Sequence, residues 1–294
     1  MDIVDAQVHF NRFGSLESGL AAMDAVGVNA LLYDEYWEFD ARSRILPGYE
    51  LPNGAFRHVF PLAEAAALLH PERFAYLVRF DRRDPDLDTL ISTIRTMPQR
   101  KALRVVPWTP EGFQQFAEGA DDPVFAVAQK YGVPVFVLLS GRTRLLHRYL
   151  RKYPDVPVIV DHCGVELQPG RLHDDALSGF SEVLALAQYP NVSLKWTHAP
   201  RLSGGLYPYP DVLATLLRVM EVFGKERVMW GSDATQTTGH HSWAESLYYI
   251  RDTDQLSEDE KAWVLGGSLR KTLNWPAPED ARVSPPIVDG SNRG

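Results

Sequence analysis

Apolar positions along this chain fall into short runs separated by longer amphipathic stretches. Eight runs of β-branched and other apolar residues predict strands over 3–10, 28–34, 74–81, 102–108, 133–139, 156–162, 192–198 and 228–233. Between them, helix-like segments cover 16–25, 62–69, 86–96, 123–130, 145–152, 180–188, 210–223 and 243–251, and a last helix covers 258–273. Strands that alternate with helices predict a parallel sheet, because parallel neighbours need a crossover. Eight such units predict closure into an α/β fold of the (β/α)8 barrel type, a single domain over 1–276. The polar, Pro/Gly-rich stretch 277–294 reads as a tail. Ala-Val-Gly-Val at 25–28, Lys-Tyr-Gly-Val-Pro-Val at 130–135 and Tyr-Pro-Asn-Val at 189–192 each stop a helix and enter a strand. The irregular, aromatic and charged stretch 36–60 follows the second strand, so it would lie on the catalytic face as a lid or substrate loop, or as a cover for the rim.

The polar residues that end these runs suggest chemistry. Gln7 and His9 are two apart and so share one side of the first strand. Asp233 lies just past the eighth strand, behind Gly231-Ser232. The C-terminal strand ends of such a barrel build its active site, and the eighth strand closes against the first. His162 ends the sixth strand; Lys195 and His198 lie near the end of the seventh, an odd number apart, so simple alternation sends one of them to the rim. Arg79, Arg104, Arg142 and Lys195 fall at or just beyond strand termini. Arginine forks there suit a substrate bearing carboxylate or phenolate groups. Tyr33, Tyr36, Trp37, Phe39, Trp108, Trp196 and Trp230 could line an apolar pocket, although most aromatics of this kind pack in the core. Cys163 reads as a packing residue, and His240-His241 read as solvated.

Four motifs carry a resemblance. Asp5-Ala6-Gln7-Val8-His9 resembles the Asp-x-His-x-His opening of the amidohydrolase superfamily. Val160-Asp161-His162-Cys163-Gly164 resembles its Asp-His-x-Gly, and Trp230-Gly231-Ser232-Asp233 resembles its Gly-Ser-Asp. Leu265-Gly266-Gly267-Ser268-Leu269-Arg270 resembles the Gly-Gly-Asn-x-x-Arg near the family's C-terminus. The nearest branch looks like the amidohydrolase-related group of 2-pyrone-4,6-dicarboxylate lactonases, other lactonases and aminocarboxymuconate-semialdehyde-type decarboxylases. Two departures stand out. Gln7 replaces the first histidine of the opening pair, and the fourth and fifth strands offer neither the bridging lysine nor the histidine of binuclear members. Glutamine is a poor zinc ligand. The depleted pattern therefore resembles metal-independent lactonases, and no cofactor is expected. Should Zn2+ or Mn2+ be held, His9, His162 and Asp233 are the expected ligands.

Bulk properties narrow the classes. A net charge of −8 argues against a nucleic-acid footprint. One cysteine allows neither an intrachain disulfide nor a cysteine zinc cluster. No apolar run approaches the ~20 residues of a membrane span. The first strand begins almost at Met1, leaving no room for a signal peptide, so a cytoplasmic enzyme is expected. Its expected partner is a small-molecule substrate, with homo-oligomerisation left open. The reaction expected is hydrolysis of a cyclic ester of a small, aromatic-derived acid. Asp233 would activate water, His9, His162 and Gln7 would donate to the oxyanion, and Arg104, Arg79, Lys195, His198, Trp108 and Tyr33 would hold substrate. A metal-dependent decarboxylase or carbon–carbon hydrolase on the same barrel is the alternative, and a barrel that only binds a ligand is the second.

Overall fold

The computed structural model describes residues 1–9, 14–35, 47–167, 170, 172, 179–236 and 240–277. Ten strands are present: β1 Val4–Val8, β2 Ala30–Tyr33, β3 Gly48–Glu50, β4 Phe56–His58, β5 Phe74–Val78, β6 Arg100–Val105, β7 Val135–Val137, β8 Val158–Val160, β9 Val192–Thr197 and β10 Val228–Gly231. Eight of them form one parallel sheet in the order β1-β2-β5-β6-β7-β8-β9-β10. The sheet curls round until its ends meet: Asp233 N–H donates to Gln7 O at 2.8 Å and Ser232 N–H to Asp5 Oδ1 at 2.8 Å. All eight expected strands are thus found, in a single-domain (β/α)8 barrel. The short hairpin of β3 and β4 lies within 36–60 and was not expected there. Residues 36–46, with Tyr36, Trp37 and Phe39, lie outside the described residues, as does the tail beyond Ala277.

Among the described residues, eleven α-helical segments accompany the strands: α1 Leu16–Val26, α2 Pro61–Leu69, α3 Leu87–Thr96, α4 Pro110–Glu118, α5 Asp122–Tyr131, α6 Leu146–Lys152, α7 Ser181–Ala185, α8 Pro210–Phe223, α9 Trp243–Arg251, α10 Glu258–Ala262 and α11 Ser268–Thr272. The helix-stopping glycines behave as their context predicts, with Gly27 and Gly132 in the left-handed conformation after α1 and α5. The expected set lacks α4, whose composition is polar, yet its ends are well marked. Thr109 Oγ1 accepts from Gly112 N–H at 3.0 Å, Pro110 opens the helix, and Gly119 closes it. The expected helix over 258–273 is instead split by a π turn at Trp263–Gly267. There Gly266 packs on the first residues of the chain, where an added Cβ would collide with Asp2 O.

Two apolar layers follow from strand alternation. Val4, Ala6, Ala30, Leu32, Ala75, Leu77, Ala102, Phe136, Ile159 and Met229 fill the barrel, with Leu269, Leu273 and Trp275 in the same cluster. The larger layer, including Val8, Tyr33, Trp196 and Trp230, packs strands against helices. Above the inner apolar cluster, along the same strands, the inward positions turn polar. This places the site at the C-terminal mouth.

Candidate active site

The inner polar layer is a closed ring of charged and amide groups. Arg104, on β6, donates through Nε to Asp161 Oδ2 at 2.7 Å and through Nη1 to Asp34 Oδ2. Arg79 Nη2 donates to the same Asp34 oxygen at 2.6 Å. Lys195 Nζ pairs with Asp161 Oδ1 and donates to Gln7 Oε1, both at 2.6 Å. Gln7 Nε2 closes the ring on Asp34 Oδ2 at 3.4 Å. Burial opposes the charge on Asp34, but Arg79 and Arg104 outweigh it and hold the carboxyl well below its ordinary value. Burial likewise opposes the charge on Asp161, and Arg104 and Lys195 keep that carboxyl low. Burial pushes Lys195 down despite Asp161.

Gln7 enters this ring through an irregularity. Val4 and Ala6 lie in the inner cluster, so regular alternation would turn Gln7 outward. Pairing of β1 with β2 slips between Asp5 and Val8, and Gln7 and His9 both point inward. Asp5 points outward, where it accepts from Ser232 N–H and Trp243 Nε1–H, each at 2.8 Å. It ties the first strand to the last and to α9; burial raises its carboxyl to about 6.

The second tier is Asp233 and three imidazoles. His198 Nε2 lies 2.9 Å from Asp233 Oδ2, His162 Nε2 lies 3.8 Å from the same oxygen, and His9 Nε2 lies 3.6 Å from Asp233 Oδ1. All four residues are buried. Burial opposes the charge on Asp233, but His9, His198 and Arg104 outweigh it and hold the carboxyl below its ordinary value. Burial lowers His9 despite Asp233 and Asp34, and burial takes His162 well below the usual imidazole range. His9 Nδ1 lies 2.8 Å from Asp34 O, a carbonyl that only accepts, so Nδ1 carries the proton, and the Nε2 lone pair accepts from Gln7 Nε2–H at 3.3 Å. Asp233 Oδ1 has no hydrogen-bond partner among the described residues. It lies 3.6 Å from His9 Nε2.

Three strand ends carry the backbone that makes this tier. His162 after β8, His198 after β9 and Asp233 after β10 have φ of 49°, 59° and 49°. Left-handed backbone at a residue with a Cβ costs roughly 1–2 kcal/mol, and such strain clusters at functional sites. It also corrects the alternation argument. Lys195 and His198 are both buried inside the mouth, because His198 lies past the strand on left-handed backbone.

The structure redistributes the other expected roles. Gln7 is not available to an oxyanion: its oxygen takes Lys195, and its NH2 group lies against His9 Nε2 at 3.3 Å and against Asp34. His9 does not donate from Nε2, for the tautomer reason above. Arg104 and Lys195 are spent within the ring, with side chains 0% exposed, and are not substrate clamps. Tyr33 packs between sheet and helices, since Leu32 takes the inward position beside it. Arg142 is exposed and stacks over the Phe113 ring. Trp196 and Trp230 are core, donating to Tyr249 Oη and Ser246 O. Cys163 packs as expected, its thiol pushed up by burial. His240 is exposed, but His241 is buried, and burial lowers it to about 4. Arg79 and Trp108 line a cavity of about 750 Å³ together with Phe56, His58 and Phe80, and Arg104 backs its wall. The hairpin of β3 and β4 supplies Phe56 and His58, so part of the stretch 36–60 does border the mouth.

A metal would find a different ligand set from the one expected. His162, His198 and Asp233 each offer an atom within 4.8 Å of the others, and His198 takes the place expected of His9. Two imidazoles and a carboxylate suit zinc. His162 Nδ1 and His198 Nδ1 are buried without a partner among the described residues, whereas metal-bound histidines usually donate from that second nitrogen. Among the described residues, no helix is long and apolar enough to cross a membrane.

Comparison with known proteins agrees with the architecture. A family model described as amidohydrolase matches residues 5–274. A zinc-bound amidohydrolase from Burkholderia multivorans superimposes with a TM-score of 0.72 at 15% identity, covering 94% of this chain and 100% of that one. A protein assigned as a 2-pyrone-4,6-dicarboxylic acid hydrolase from Pseudomonas putida superimposes with a TM-score of 0.69 at 19% identity, covering 93% and 97%. A 2,6-dihydroxybenzoate decarboxylase from Rhizobium gives 0.59 at 13% identity, covering 93% and 100%. No curated protein matches in sequence.

Proposed function

The chain belongs to the amidohydrolase family, and on that premise we propose that it hydrolyses the cyclic ester of a small carboxylic acid. One observation carries this reading: Asp233 Oδ1 is buried at the mouth with no hydrogen-bond partner among the described residues. An acceptor so placed calls for a small donor, and water fits. One O–H bond points to Asp233 Oδ1, which leaves an oxygen lone pair for attack. As the oxygen bonds to the lactone carbonyl carbon, the proton passes to Asp233. The ring C–O bond then breaks, and the leaving alkoxide takes that proton back, giving the hydroxy acid. The Arg104 guanidinium, 3.4 Å from His162 Nε2, is a fixed positive charge that acts on Asp233 and favours the oxyanion. Arg79 at the cavity wall suits the acid's carboxylate. The similarity to a structure assigned as a pyrone dicarboxylic acid hydrolase supports an aromatic-derived lactone as the substrate class.

A second reading is favoured by the His162, His198 and Asp233 group. These residues would hold a divalent cation such as zinc, which when bound polarises a carbonyl and suits a decarboxylase or carbon–carbon hydrolase. The amide at position 7 favours the first reading: its oxygen takes Lys195 and its NH2 lies on His9 Nε2, so it offers a metal no ligand. The test is ring opening of pyrone carboxylates and aliphatic lactones at pH 7, by native protein and by Asp233→Asn. No opening of any lactone, with decarboxylation of a hydroxybenzoate instead, would sink the first reading.

A further inference from the structure

The ring beneath Asp233 has a polarity, and Lys195 sets it. An ammonium only donates, so the Gln7 atom 2.6 Å from Lys195 Nζ is the amide oxygen. Lys195 is held from another side by Asp161 Oδ1, lies 5.2 Å from the centre of the Phe136 ring and is fully buried, so no bulk water competes for it. The Gln7 NH2 must then face the other way, 3.3 Å from His9 Nε2. An NH2 group cannot accept from an imidazole N–H, so that nitrogen has to be bare. The opposite side of the ring agrees, since Nδ1 meets the Asp34 carbonyl.

We infer that Gln7 is a positioning residue, its amide locked by Lys195, that donates to the His9 Nε2 lone pair and so keeps an N–H from forming there and occupying Asp233 Oδ1. The inference rests on the proposed part of Asp233 Oδ1 as the acceptor for water. It explains why an amide serves here where a carboxylate of the same shape would not. A carboxylate would still accept from Lys195, but its second oxygen would face His9 Nε2 and recruit a proton there. That N–H would face Asp233 Oδ1 and compete with the water for it.

The experiment compares native full-length protein with Gln7→Glu, using the ring nitrogen shifts of His9 in long-range proton–nitrogen correlation spectra without substrate. The native ring is expected to carry its proton on Nδ1 alone, and the Gln7→Glu ring to carry one on Nε2. In the same variant, kcat for lactone opening is expected to fall on the order of 10²-fold with KM little changed. Gln7→Met, which donates nothing and recruits no proton, is expected to leave Nε2 bare and to lose less turnover. A proton on Nε2 of native His9 overturns the inference, and that measurement needs no variant to fold. A His9 spectrum identical in native protein and Gln7→Glu also overturns it. The spectra need no turnover, so a chain that opens no lactone would sink the proposed reaction and leave the tautomer result standing. Full lactone turnover by Gln7→Glu would overturn the positioning role and leave the reaction intact.

Discussion

His198 Nε2 sits 2.9 Å from Asp233 Oδ2, and both residues stand on left-handed backbone just past adjacent strands. The contact holds one carboxylate oxygen and leaves the other, Oδ1, facing His9. Asp233→Asn keeps the size of the side chain and removes the proton acceptor. Turnover is expected to fall by ~10²–10⁴-fold, the usual worth of acid–base catalysis. His198→Asn tolerates the backbone but is too short to reach Asp233, and a smaller loss is expected. Steady-state kinetics on the lactone that opens fastest checks both, and an Asp233→Asn protein turning over at native speed would refute the base.

Metal removal separates the two readings. Exhaustive chelation, followed by elemental analysis, is expected to leave lactone turnover unchanged, because Asp233 takes the proton of water without a dication and Gln7 is tied to Lys195. Loss of turnover, restored by stoichiometric zinc or manganese, would transfer the assignment to His162, His198 and Asp233 as ligands.

Lys195 is expected to matter for stability apart from turnover. Its ammonium and the Asp161 carboxylate are both 0% exposed, and Lys195→Met leaves Asp161 with Arg104 alone. Breaking a buried pair by removing one partner costs about 3–5 kcal/mol. Urea unfolding of the variant reads this directly, and a change under about 1 kcal/mol, within the usual range for surface pairs, would contradict it.

Acid should erase the contribution of Asp34. Its folded carboxyl lies below the ordinary 3.8, because Arg79 and Arg104 overcome burial. A group depressed in this way stabilises the fold above its unfolded value, and the contribution disappears as the pH falls through the folded one. Asp34→Asn is therefore expected to destabilise at pH 7, with the gap to native protein narrowing below about pH 4, near the ordinary carboxylate value. Unfolding free energies at several pH values check the sign; a gap that widens on acidification would contradict it.

Local patterning determined much about this protein. Eight short apolar runs with amphipathic segments between them are enough for a closed parallel barrel, because strand and helix periods are local properties. Strand ends are local too, so Gln7, His9, His162, Lys195 and Asp233 could be placed at one mouth before any contact was known. Helix α4 shows the limit in the other direction: its Thr109 cap, Pro110 and Gly119 were present, but two phenylalanines in a polar stretch left its apolar face weak.

What each site residue does was decided only by tertiary structure. Alternation could not bring His198 inward, since that depends on left-handed backbone which only packing at the mouth sustains. Nor could it reveal that a slip in β1 turns Gln7 into the interior. Arg104 and Lys195 are cations near strand ends, which in sequence look the same whether they await a substrate or are spent on Asp34 and Asp161. Asp34 ends the second strand and escapes sequence reasoning, because an isolated aspartate carries no sequence sign of the two arginines, from β6 and just past β5, that converge on it. Polarity, tautomer and ion pairing are properties of pairs of residues distant in the chain, and distance along the chain says nothing of them.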